Sequence, residues 1–273
     1  MSAKRPEDDD RLVEEIYDAL DDGRPEEALA AARIALREVP DDPVLHFLAG
    51  VALFEMDQPQ SAIAELDRAI ALDPDDPEFL AVRAQTYYAT CRFADAQADA
   101  GRALTADAGN ADALRILGLV LERDGRYDEA DAKLAAAARL DPERFETPVR
   151  IDREAFARVV LRAGEILPDE FRSRLAEVPV VVLDLPPEGV LTGQAPPLDP
   201  ELLGLFVGTA LPERSFGAGG VETPPQILLF KRNLERFAHD ESDLTDEIAR
   251  TLHHELAHYL GFAEEDMVDL DLD

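Results

Sequence analysis

The sequence predicts a multidomain chain of two classes in succession, an all-α helical-repeat solenoid followed by a small α+β domain. Three observations predict it. Small residues recur at an interval of 34 through the first half; the period stops at Pro142; and the second half carries strand-like apolar runs and one helix bearing two histidines four residues apart. A chain of 273 residues suits two domains. The expected division is a disordered lead at 1–8, about four repeats over 9–142, and a second domain over 143–273.

In the repeat half, Ala28, Ala62, Ala96 and Ala130 form one register and Ala35, Ala69, Ala103 and Ala137 a second, with Gly50, Ala84 and Gly118 as a third. A fixed period of this length means stacked supersecondary units, here helix pairs whose small residues allow close approach. Leu53, Tyr87 and Leu121 supply bulk beside the third register. Pro40-Asp41-Asp42-Pro43 and Asp73-Pro74-Asp75-Asp76-Pro77 end one helix and start the next, and Leu140-Asp141-Pro142 closes the last unit. The pattern resembles the tetratricopeptide repeat (TPR), departing from it at Ala106-Asp107-Ala108, where Leu-Asp-Pro is expected.

Stacked helix pairs form a concave groove lined by the first helix of each pair, so this half is expected to bind a protein or peptide partner. Phe47, Phe54, Tyr88 and Arg115 fall on those helices, although aromatics there are more often core than ligand contacts. Cys91 falls at a turn between helices, with no His or second thiol beside it, and reads as structural.

Beyond Pro142, helices are expected at about 153–166 and 168–176, then a buried strand in the run Val178-Pro179-Val180-Val181-Val182-Leu183. Residues 186–225 are rich in Pro and Gly, with a short apolar stretch at 202–207. A second strand follows at 226–231, expected to offer a free edge to an extended peptide. Asp243 and Asp246 mark the start of the last helix, which stops at Gly261.

That helix carries His254-Glu255-Leu256-Ala257-His258. At 3.6 residues per turn the two histidines lie about 40° apart and one turn separated, so both imidazoles reach one ion. Ile248, Leu252, Leu256 and Tyr259 occupy the opposite face and turn the histidines toward a cleft. Two histidines and one carboxylate suit zinc and leave a position for water, whose pKa the metal lowers. Glu255, beside the ion but not on it, is placed as general base for attack on a peptide carbonyl. A left-handed Gly261 would turn the chain back and aim Glu264 at the metal as third ligand, with Glu265, Asp266 and the terminal Asp273 as competitors. His253 is rotated away from the pair and reads as structural; His46 and His239 belong to no ligand pattern.

The strings Ile227-Leu228-Leu229-Phe230-Lys231-Arg232-Asn233-Leu234-Glu235 and Thr251-Leu252-His253-His254-Glu255-Leu256-Ala257-His258-Tyr259-Leu260-Gly261 resemble the minimal zincins, small bacterial zincin-like metallopeptidase domains. The resemblance covers about 150–273 and implies a compact α+β fold, zinc on His254 and His258, and Glu255 as catalytic base. That family more often has Asp where Glu264 stands.

Composition narrows the function classes. A formal net charge of −32 repels phosphate backbones and anionic membranes, which argues against nucleic-acid and membrane partners. One cysteine excludes an intramolecular disulfide and thiolate-rich zinc modules. The N-terminus lacks the apolar core of a signal peptide, and no run is long enough to span a bilayer, so a cytoplasmic protein is expected. The leading expectation is a zinc metallopeptidase whose repeats recruit a protein or peptide. The alternatives are an adaptor with a degenerate metal domain, and a hydrolase acting on a non-peptide amide.

Overall fold

The computed structural model describes residues 6–211 and 224–262, and the chain divides into two compact units, 1–145 and 146–273.

Unit 1 is built from helix pairs α1 (Pro6–Asp21) and α2 (Pro25–Glu38), α3 (Pro43–Glu55) and α4 (Pro59–Leu72), α5 (Pro77–Ala89) and α6 (Phe93–Ala106), and α7 (Ala111–Arg123) and α8 (Tyr127–Leu140). The first helix begins inside the stretch 1–8 that the sequence reading expects to be without structure. The starts of α3 and α5 are fixed chemically. Asp42 accepts from the amides of Val44 and Leu45, Asp76 from those of Glu78 and Phe79, and Pro43 and Pro77 occupy first-turn positions where no N–H is needed. Asn110 caps α7 in the same way through the amide of Ala113. At the departure 106–108 the helix still ends, because Asp107 takes the extended cap conformation that Asp73 takes.

The small-residue registers are the contacts between helices. Ala28, Ala62, Ala96 and Ala130 are each 0% exposed. A Cβ on Gly50 would stand 2.7 Å from Leu66 Cγ, and one on Gly118 2.9 Å from the equivalent atom of Leu134. By the same period Ala84 faces Ala100, both fully buried, so glycine meets leucine and alanine meets alanine. A further register, unseen in the sequence, lies at the turn inside each pair. Gly23, Asp57, Cys91 and Gly125 are 34 residues apart and all have positive φ, between 54° and 72°. Cys91 thus stands at a left-handed position that glycine fills in two of the four repeats.

Of the expected groove residues, Phe47 is buried and stacks on Phe79 with ring centroids 4.8 Å apart, and Tyr88 packs edge-on against Phe93. Phe54 packs against the same core, and the Arg115 guanidinium lies over the Phe145 ring.

Unit 2 runs α9 (Arg153–Ile166), α10 (Asp169–Leu175), β1 (Val180–Leu183), α11 (Glu188–Leu191), β2 (Gly204–Val207), β3 (Gln226–Phe230), α12 (Lys231–Phe237) and α13 (Glu241–Leu260). The sheet order is β1-β3-β2, parallel between β1 and β3 and antiparallel between β3 and β2. The strand expected as the free edge, 226–231, is therefore the central one, hydrogen-bonded on both sides. The edge beside the candidate site is β2, from the apolar stretch at 202–207.

The last helix starts earlier than expected. Asp240 caps it by accepting from Ser242 and Asp243, while Asp243 takes the backbone N–H of His239. The face of α13 bearing Leu244, Ile248, Leu252, Leu256 and Tyr259 is buried against α9, α10 and the sheet. Among the described residues no helix is long and apolar enough to cross a membrane.

Candidate metal centre

With one face of α13 fixed in the core, its other face bears His254 and His258 at a cleft of about 660 Å³. Their Nε2 atoms are 3.2 Å apart and the rings stand nearly perpendicular. Two donors held about 2.05 Å from a tetrahedral zinc ion would be about 3.3 Å apart, so the spacing fits two ligands of one ion. His258 Nδ1 lies 3.3 Å from the carbonyl of Phe262. A carbonyl only accepts, so Nδ1 donates and leaves the Nε2 lone pair facing His254. That carbonyl is placed by Gly261, which caps α13 at φ 93° in the left-handed region while the Phe262 amide bonds back to Ala257.

Glu255 is 6% exposed, and its Oε2 accepts the backbone N–H of Phe206 at 2.5 Å. The register explains why that N–H is aimed there. Leu203 accepts from Phe230, so along an antiparallel ladder Leu205 and Val207 also face β3, and the main-chain groups of Gly204 and Phe206 face the cleft. The approach is very close: a Cβ on Gly204 would lie 2.5 Å from Thr251 Cγ2 and 3.2 Å from Glu255 Oε1. Thr251 has no room to yield, since it is buried and its hydroxyl donates to the Glu247 carbonyl. One turn before His254, Arg250 pairs with Glu247 at 2.6 Å on the cleft wall. Half-buried leucines, among them Leu198, Leu202 and Leu205, form much of the remainder.

Two residues that the sequence reading did not single out brace the site, one at the entry to β2 and one on α12. Asn233, fully buried, donates from Nδ2 to the carbonyls of Pro200 and Leu202, just before the strand. Glu235, also fully buried, accepts from Lys231 Nζ, from Arg150 and from the amide of Ile151, fastening α12 to the start of the unit. A buried carboxylate so provided with donors is a structural staple. A hint was available in the sequence, since amide and charged groups follow directly on the apolar run of β3.

His254, Glu255 and His258 are thus brought together. Glu264, its competitors Glu265 and Asp266, and Asp273 lie outside the described residues, among which no group of three or more His, Cys, Asp or Glu side chains forms a metal cluster. His253, as expected, points elsewhere, edge-on to Phe171 with centroids 4.1 Å apart, and burial pushes its pKa down. His46 bonds Glu65 and the Pro40 carbonyl. His239 pairs with Glu146, which raises its pKa.

Comparison with known proteins divides the chain in a similar way. Residues 19–86 and 82–144 match two models of the tetratricopeptide repeat, and residues 175–273 match the model of zincin-like metallopeptidases. No curated protein matches the chain. Among solved structures, pilF of Pseudomonas aeruginosa is 22% identical over 50% of this chain and 62% of its own, with a TM-score of 0.45. A MamA chain from Desulfovibrio magneticus RS-1 is 23% identical over 49% and 76%, at 0.43. YrrB, described as a TPR protein with an unusual peptide-binding site, is 22% identical over 46% and 65%, at 0.40.

Proposed function

We propose that this chain, tetratricopeptide repeats followed by a zincin-like metallopeptidase domain, is a zinc-dependent peptidase whose repeats recruit a protein or peptide substrate. The observation that carries the reading is the convergence of the His254 and His258 Nε2 atoms, 3.2 Å apart, with the Glu255 carboxylate on the same helix face. His254 and His258 would hold the metal, with Glu264 as the proposed third ligand. Zinc, when bound, supplies Lewis acidity that makes water ionisable near neutral pH and polarises a carbonyl.

The remaining work falls to protein groups. Glu255 accepts the proton of the attacking water and returns it to the leaving amine. The Phe206 N–H bonds that carboxylate and fixes its orientation toward the cleft. An extended peptide finds further main-chain partners on the outward groups of β2, and the leucines of the cleft exclude water from the scissile bond.

The test combines metal content with hydrolysis of unstructured basic peptides. Protein purified without added metal is expected to carry one zinc per chain, lost in the His254→Ala, His258→Ala double variant. Glu255→Gln should retain zinc while hydrolysis falls about 10²- to 10⁴-fold. Zinc with no chelator-sensitive cleavage of any peptide would move the reading to an adaptor with a metal-binding module.

A further inference from the structure

The inner surface of unit 1 contains a second cavity, of about 310 Å³, to which α1, α3, α5 and the start of α7 all contribute. That is at the small end for ligand pockets and suits one or two side chains better than a whole cofactor. Its floor is apolar: Phe47 and Leu48 are buried, and Val51 and Val82 lie beside them. Its walls bear Asp21, Glu55, Glu78 and Asp112 against a single cation, Arg144, which is already paired with Asp112 and Asp141.

Among the described residues neither Glu55 nor Glu78 has a cationic partner, although each shares the cavity with another acid. Burial raises the pKa of both carboxyls; Asp21 adds to the rise at Glu55, and Asp76 and Asp112 add to it at Glu78. Like charges crowded around a partly desolvated apolar floor leave a concave site of negative potential. A cation entering it relieves both the repulsion and the poor solvation. An acidic or neutral apolar segment gains only the floor.

We propose that this concavity binds a basic, partly apolar protein segment, a Lys or Arg side chain against Glu55 and Glu78 with a neighbouring apolar side chain on the Phe47–Val51 floor. This rests on the reading that the repeats recruit a polypeptide, and it names the chemistry of that polypeptide. The charge pattern makes the groove selective rather than merely sticky.

The experiment uses the full chain carrying Glu255→Gln, so that the probe survives whether or not the protein is a peptidase. The probe is a disordered, fluorescent peptide of Lys, Leu and Ser, with its Glu-for-Lys counterpart as control. The basic peptide is expected to bind, with salt-sensitive affinity, and the acidic one not to bind. Glu55→Gln with Glu78→Gln should weaken binding about tenfold. Glu26→Gln with Asp128→Asn, an equal charge change in the first turns of α2 and α8, should leave it unaltered. Equal loss in both variants, loss in neither, or no binding to the parent chain would overturn the assignment. Cleavage of the same peptide by the chain with Glu255 restored is scored separately, so the peptidase reading and the groove stand or fall independently.

Discussion

Unit 1 and unit 2 specify structure in opposite ways. The repeat unit states each instruction several times, at 28, 62, 96 and 130 or at 50, 84 and 118, and spreads its stability over equivalent interfaces. The zincin-like unit states each instruction once. Its candidate site depends on a glycine at 204, an amide at 233, a carboxylate at 235 and a helix at 241–260 agreeing in space. Damage to the first unit should therefore be felt as a modest loss of stability, and damage to the second as a loss of chemistry.

Among changes away from the proposed base and metal ligands, the largest effect is expected at Gly204. A methyl group there meets Thr251 and Glu255, pushes β2 away, and separates the Phe206 N–H from the carboxylate it holds. Gly204→Ala should lower peptide hydrolysis about hundredfold while zinc content stays at the parent level. Parallel loss of metal would mean that the strand supports the whole domain rather than the base. In unit 1, Gly118→Ala forces a Cβ onto Leu134 and should cost about 1–3 kcal/mol in denaturant unfolding, with hydrolysis per folded molecule unchanged. Combining it with Leu134→Ala should give less than the sum of the single losses, and strict additivity would show that the two positions are not in contact. The smallest effect is a gain: Cys91→Gly relieves a non-glycine residue at φ 59° and should add about 1 kcal/mol, read as a higher melting temperature.

Legibility follows the same divide. Registers of alanine and glycine could be read because the residues at equivalent positions are chemically alike. The turn register at 23, 57, 91 and 125 could not, because Gly, Asp, Cys and Gly share a backbone conformation and no side-chain property. In unit 2 the His254–His258 pair was visible from helical spacing alone, and the left-handed cap at Gly261 from its residue type. Strand order was not: β3 reads as an edge from its position before α12, and only pairing shows it to be central. The four residues of β2 are too few to display alternation, and they sit in a Pro- and Gly-rich stretch where the pattern suggests loop. Asp240 was passed over for Asp243 because both are good caps and only the backbone angles choose between them.

The pairing of Gly50 with Leu66 and Gly118 with Leu134, against Ala84 with Ala100, also constrains how such a gene can be rearranged. Both members of each combination lie within one helix pair. An exchange whose crossover falls between pairs, near Asp75 or Gly109, carries matching halves together and yields a packed array. A crossover inside a pair brings Ala84 onto Leu66, which overlap, or Gly50 onto Ala100, which leaves a hole. Duplication and loss of repeats in this lineage should accordingly respect the boundary between pairs, and recombinants that split one should be recovered only with a compensating change of size at the facing residue.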